Sequence, residues 1–317
     1  MGTAPLPLRR TLPLLLAAAV AAAPILARAD TNWTMRVRAV ADYLLSQQTP
    51  TGCIPDLPDS LRANEDARME YALLCLVHAY RVMPRSRYEE GLSKGVAWLA
   101  TVMERREGPW VGSFRQAYAA KPPHVGLPTP PAEGAVDGRG STAASALFVY
   151  LVYQQYLATG DVNEMLGLRP HVRAALDFLL DHNQGKNYLF HTGWYRARPT
   201  ADWKLYRLQR ATDQAAAYLG LRAGHHLLPR RRYDMAADRL AREIDRLYDE
   251  RRRAFGVALD PGGKLIPPAE DRESYLAQGY LAWVFGPQRE TRDGIQWLEN
   301  RHAPDGTFRR KHTDPPY

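Results

Sequence analysis

The sequence predicts an all-α chain folded as an (α/α) toroid of antiparallel helix hairpins, five to six in number. Three observations lead there. Apolar residues recur at helical spacing along most of the chain, and strand-like alternation is nearly absent. The connections between helices alternate between short and long. The second, fourth and sixth helices, with "MEYALLCLVHAY", "ASALFVYLVYQQYLA" and "AAAYLGL", are the more apolar, as an inner ring enclosed by an outer one requires.

Residues 1–29 stand apart from that pattern. Arg9 and Arg10 precede a run of Leu, Ala and Val, and Ala27-Arg28-Ala29 gives a small-x-small ending before Asp30. This reads as a cleavable secretory signal, and export to the periplasm or medium is expected. The run is short and broken by Pro13 and Pro24, so no membrane span is expected once it is removed. Removal takes away three arginines and no acids, so the formal charge falls from +8 to +5. The remaining basic residues are interleaved with acids, as in "RRRYDMAADRLAREIDRLYDERRR", which is a solvated helix face and excludes a phosphate-tracking nucleic-acid surface. Residues 30–317 are long enough for one large core, and no low-complexity linker divides them. No oligomeric partner is legible.

Helices are expected at 31–48, 64–83, 85–105, 141–159, 162–183, 204–228, 231–250, 271–285 and 288–301. Helices two and three are joined by "MPRS", four and five by "ATGD", six and seven by "LPRR", eight and nine by "FGPQ". These tight turns make hairpins. The other connections are long and carry Gly, Pro and aromatic residues: 49–63, 106–140, 184–202, 254–270 and the "APDGTF" near the end. One face therefore receives every long loop. Hairpin starts near 31, 85, 162, 231 and 288 are unequally spaced, against the ~34-residue period of a tetratricopeptide solenoid.

Cys53 lies in a loop and Cys75 about three turns into the next helix, too far along its axis for easy pairing, so two free and mostly buried thiols are expected. No Cys/His cluster has zinc spacing and no Gly-rich phosphate loop follows a strand, so no metal and no cofactor is expected.

The segments "SQQTPTGCIPD", "NEDARMEYALLCLVHAY" and "GAVDGRGSTAASALFVYLVYQQYLATGD" together resemble the six-hairpin glycosidase superfamily over roughly residues 40–230. The layout is most similar to that of the unsaturated glucuronyl and rhamnogalacturonyl hydrolases. In those enzymes one aspartate opens the second helix and another opens the fourth, which ends in Thr-Gly-Asp. Asp66 and Asp137 occupy those places here, and Thr159-Gly160-Asp161 closes the fourth helix. Nine helices are read where the full toroid has twelve. The resemblance implies a glycoside hydrolase acting on an oligosaccharide or polysaccharide, with Asp137 as acid/base.

The residues themselves give candidates for that chemistry. Acids in the long loops or first helical turns are Asp56, Asp59, Glu65, Asp66, Asp137, Asp202, Asp213, Glu270, Asp271 and Glu273. Glycoside cleavage needs two carboxylates with different protonation, and Asp137 with Asp66 is the expected pair. Asp137 is flanked by Gly134, Gly138 and Gly140, and Ser141 or Thr142 can cap the helix without it. Asp213 in "LQRATDQAAAYLGL" is expected well inside an apolar helix, either paired with Arg210 or facing a cavity. Trp110, Trp194, Tyr195 and Trp203 fall in long loops, where flat rings stack on sugar faces or plug the ring. His124, His191 and Arg196 lie there too, as grips for a carboxylate-bearing sugar or as loop donors. Two other functions fit the same residues. One is a polysaccharide lyase with Tyr195 or His191 as base, and the other is a non-catalytic toroid that binds glycan or protein.

Overall fold

The computed structural model describes residues 31–56, 60–120, 126, 137–196 and 201–301. The segment expected to be a signal (residues 1–29), Asp59, His124 and the "APDGTF" near the end lie outside the described residues. In chain order the elements are α1 (Thr31–Gln47), β1 (Arg62–Ala63), α2 (Arg68–Val82), α3 (Ser86–Val102), β2 (Tyr118–Ala119), β3 (Asp137–Arg139), α4 (Thr142–Thr159) and α5 (Val162–Asp177). There follow β4 (Gly193–Arg196), β5 (Lys204–Tyr206), β6 (Gln209–Arg210), α6 (Ala211–Leu227), α7 (Arg231–Glu243), β7 (Tyr248–Asp249), β8 (Ala254–Phe255), β9 (Ala258–Leu259), β10 (Leu265–Ile266), α8 (Arg272–Phe285) and α9 (Arg289–Glu299).

Helices α2, α4, α6 and α8 form the inner layer, each joined by a short turn to its outer partner, α3, α5, α7 or α9, while α1 packs on α2. This is the expected toroid of antiparallel hairpins. The turn after α4 shows how sequence makes it: Gly160 adopts a left-handed φ of 71° to end the helix, and Asp161 opens the next by accepting the Glu164 N–H at 2.9 Å. Helix α4 is buried on nearly every side, which explains why it reads as apolar all round. It makes its most extensive contact with α6, where Gly220 lets the backbones approach: a Cβ there would lie 2.6 Å from the Ala146 carbonyl oxygen. The first and last inner helices meet through Tyr71 and Tyr280, whose rings stack with centroids 5.6 Å apart.

The long loops gather at the opposite end from the short turns. They are tied together by ladders of two or three residue pairs: β1 with β2, β3–β4–β5, β6–β9–β10, and β7 with β8, all antiparallel. Trp110 and Trp203, from different loops, lie with ring centroids 5.7 Å apart.

Four expectations are corrected. The second helix begins at Arg68 rather than 64, because residues 64–67 form a left-handed turn. Residues 204–210 are strands, so the sixth helix starts at Ala211. The seventh ends at Glu243, and a 3-10 turn at Ile244–Leu247 leads into β7. Both cysteines are free, but only Cys53 is buried; Cys75 is exposed on α2. Among the described residues no helix is long and apolar enough to cross a membrane.

Candidate functional site

The loop face encloses a cavity of about 490 Å³. Its walls come from the turn before α2 (Asn64, Asp66), the segment before β2 (Arg115, Gln116), β3 and the α4 entry (Gly138, Arg139, Ser141), β4 (Gly193, Trp194, Tyr195), β5 (Tyr206) and β6 (Arg210), with Thr192 between them. Ser141 caps α4 by accepting the Ala144 N–H at 3.2 Å, as the sequence allowed. After α5 the chain continues through a π-helical turn, Phe178–Asn183. That extra turn delivers a fully buried Asn183, whose amide donates to Thr142 Oγ1 at 2.6 Å and accepts the Trp194 indole N–H at 3.1 Å. One side chain thus fixes the α4 entry and the Trp194 wall together.

One wall is built of arginine, tryptophan and a buried acid. The Arg139 guanidinium lies 4.2 Å from the Trp110 ring centroid and 5.2 Å from that of Trp203, and Arg196 lies 4.7 Å from Trp203 on its own account. Glu104, buried, pairs with Arg139 at 3.0 Å and also with Arg115. Trp110 and Trp203 are therefore engaged in packing and do not line the cavity, whereas Trp194 and Tyr195 do.

On the opposite side Arg210 and Asp66 line the cavity, and Asp213 and Glu273 lie behind them, outside its lining. Asp213 stands in the first turn of α6, not deep inside it, and is 4 % exposed. Burial pushes its carboxyl up to about 6, with the charges of Asp66 and Glu273 in the same direction; Arg210 and Thr192 oppose them. Its Oδ2 is buried without a hydrogen-bond partner. The Thr192 hydroxyl, which donates to the Leu208 carbonyl at 3.1 Å, faces Asp213 as well. Asp66 is exposed at the cavity and Glu273 enters from the first turn of α8, so three elements converge on Arg210.

Beneath this site two more acids are held away from water. Glu70 is fully buried, and burial raises its carboxyl to about 8; Asp56 is raised to about 6, again by burial first. His191 is partly buried, with a ring Nδ1 that has no hydrogen-bond partner and a pKa lowered by burial, so the ring is neutral near pH 7. It sits behind the wall rather than in the cavity lining.

The candidate pair has one described member in the cavity. Asp66 lines it. Asp137 is placed by its backbone in β3, opposite Arg196 in β4 and next to the lining residue Gly138; its side chain and His124 lie outside the described residues. Sequence reading missed Arg115, Arg139, Asn64 and Glu70. Only Glu70 left a signal, as an acid in the apolar run "MEYALLCL". Among the described residues no group of three His, Cys, Asp or Glu side chains can hold a metal.

No protein-family profile and no curated protein matches the chain. Solved structures do. A cellobiose 2-epimerase from Spirochaeta thermophila superposes with a TM-score of 0.58 at 13% identity, over 90% of this chain and 76% of that one. The family 8 endoglucanase Cel10 from Klebsiella pneumoniae gives 0.55 at 14%, over 83% and 78%. A GH76 alpha-mannanase from Bacteroides thetaiotaomicron gives 0.52 at 12%, over 79% of this chain and 62% of the mannanase, so the chain spans less than two thirds of that protein. The fold these structures share with this chain is the six-hairpin (α/α) toroid.

Proposed function

We propose that this toroid is a carbohydrate-active enzyme, an exported glycoside hydrolase that cleaves a uronate-containing oligosaccharide in the loop-face cavity. The observation that carries the reading is Asp213, a buried carboxyl raised to about 6 that shares Arg210 with the cavity acid Asp66. Acid/base hydrolysis requires such a division, one carboxyl protonated near neutral pH and a second ionised. In this reading Asp213 gives its proton to the glycosidic oxygen as the bond breaks. Asp66, or Asp137 on the neighbouring rim, takes a proton from the attacking water. Arg115, Arg139 and Arg210 in the lining suit a sugar carboxylate, and Trp194 and Tyr195 offer ring faces to the sugar. The glycosidase and epimerase names of the superposed structures support carbohydrate as the substrate class.

The test is a panel of neutral and uronate-containing oligosaccharides, scored by release of new reducing ends. Hydrolysis by the parent and its loss in Asp213→Asn are expected. Binding without turnover across the panel would overturn the enzyme and leave a glycan-binding toroid. A lyase is the second reading, favoured by Tyr195 and Tyr206, which meet edge-on at 5.5 Å in the wall. A lyase leaves a conjugated unsaturated uronate with a new ultraviolet absorbance, and hydrolysis does not. Export rests on residues 1–29, and a secreted protein with its N-terminus at Asp30 is the expected product.

A further inference from the structure

The turn that brings Asp66 to the cavity has a strained backbone. Asn64, Asp66 and Ala67 have φ of 62°, 52° and 62°, in the left-handed region that favours glycine, and none of them is glycine. Such a turn persists only where its surroundings determine it, and here they do so from two sides. The Asp56 carboxylate accepts the Glu65 N–H at 3.2 Å. Asn64, itself 1 % exposed, accepts the Met69 N–H at 3.2 Å and donates its amide to Glu70 Oε1 at 3.2 Å. The other Glu70 oxygen is buried with no partner.

We propose that Glu70 and Asp56 are positioning residues, which clamp the Asn64–Ala67 turn and so hold Asp66 beside Asp213 and Arg210. A leucine at position 70 would fill the same core without desolvating a carboxyl. What the carboxyl adds is the acceptor that fixes Asn64. It does so uncharged, since burial keeps it protonated at neutral pH. The inference builds on the reading of Asp66 and Asp213 as the site pair, but it concerns position rather than turnover.

The experiment is carbon-detected titration of the Asp213 carboxyl in the full chain. Asp213 is faced by Arg210, Thr192, Asp66 and Glu273, and by Tyr71 of α2. Asp66→Asn removes one like charge and is expected to lower the Asp213 pKa. Glu70→Leu is expected to lower it in the same direction by at least half as much while thermal stability holds or rises, whereas Glu70→Gln, which can still accept from Asn64, keeps the parent value. If Glu70→Leu does not fold, Asn64→Gly reads the same clamp, because it tolerates the positive φ and deletes both side-chain bonds. A folded Glu70→Leu or Asn64→Gly that leaves the Asp213 titration at the parent value overturns the proposal, and so does an Asp66→Asn that fails to move it. A parent that cleaves no oligosaccharide would overturn the proposed function instead, and the titration would still be read.

Discussion

Arg139 and Glu104 form a buried ion pair at 3.0 Å whose guanidinium also lies within 4.2 Å of the Trp110 ring centroid and 5.2 Å of that of Trp203. Both side chains are less than a tenth exposed, and Glu104 also pairs with Arg115. Removing Glu104 takes the buried acid away from two guanidiniums of the cavity wall at once. Glu104→Ala is therefore expected to cost about 3–5 kcal/mol, read from urea denaturation midpoints. Trp203→Ala, which removes a half-buried ring from the same guanidinium, is expected to cost about 1–2 kcal/mol.

Asp213 imposes a pH dependence whose sign follows from its raised pKa. The folded carboxyl titrates at about 6 against an ordinary value of 3.8, so the folded chain holds that proton more tightly than the unfolded one. Its contribution is fully present below about pH 4 and is lost as pH rises through about 6. The difference corresponds to about 3 kcal/mol. Asp213→Asn lacks the titration. Its melting temperature relative to the parent should rise between acid and neutral pH, and a constant offset would contradict the assignment.

Glu70 extends the same behaviour to higher pH. Its carboxyl is raised from 4.5 to about 8, so its contribution is fully present below about pH 4.5 and is lost as pH rises from there through about 8. Glu70→Gln lacks this titration, so its melting temperature relative to the parent should rise across that range and level off above it, as thermal melts from acid to mildly alkaline buffer would show.

Asp137 is tested by Asp137→Asn. Ser141 already caps α4, so the aspartate is not needed for that role. Turnover is expected to fall by roughly 10² to 10⁴ if the side chain moves a proton, with little change in stability. A folded variant within a few-fold of parental activity, on any substrate the parent cleaves, would remove Asp137 from the mechanism.

What the sequence determined by itself is the hairpin framework. Helical periodicity, four tight turns such as the Gly160–Asp161 pair, and the gathering of long loops on one face are local or near-local properties, and they appear in the structure as read. Tertiary structure decided the rest. Strands of two to four residues are too short to display alternation, so 204–210 read as the front of a helix and Asp213 as an interior residue. The left-handed turn at Asn64–Ala67 is stabilised by Asp56 and Glu70 from outside it, and no propensity within "NEDA" announces it. Trp110 and Trp203 read either as sugar platforms or as rings that plug the toroid, and only their contacts with Arg139 set them in the wall. Arg115, Arg139 and Arg210 come from three separate segments, and their convergence with the acids around them in one cavity has no signature in any one of them. Charge compensation acts through space, and only the fold states which charges are near.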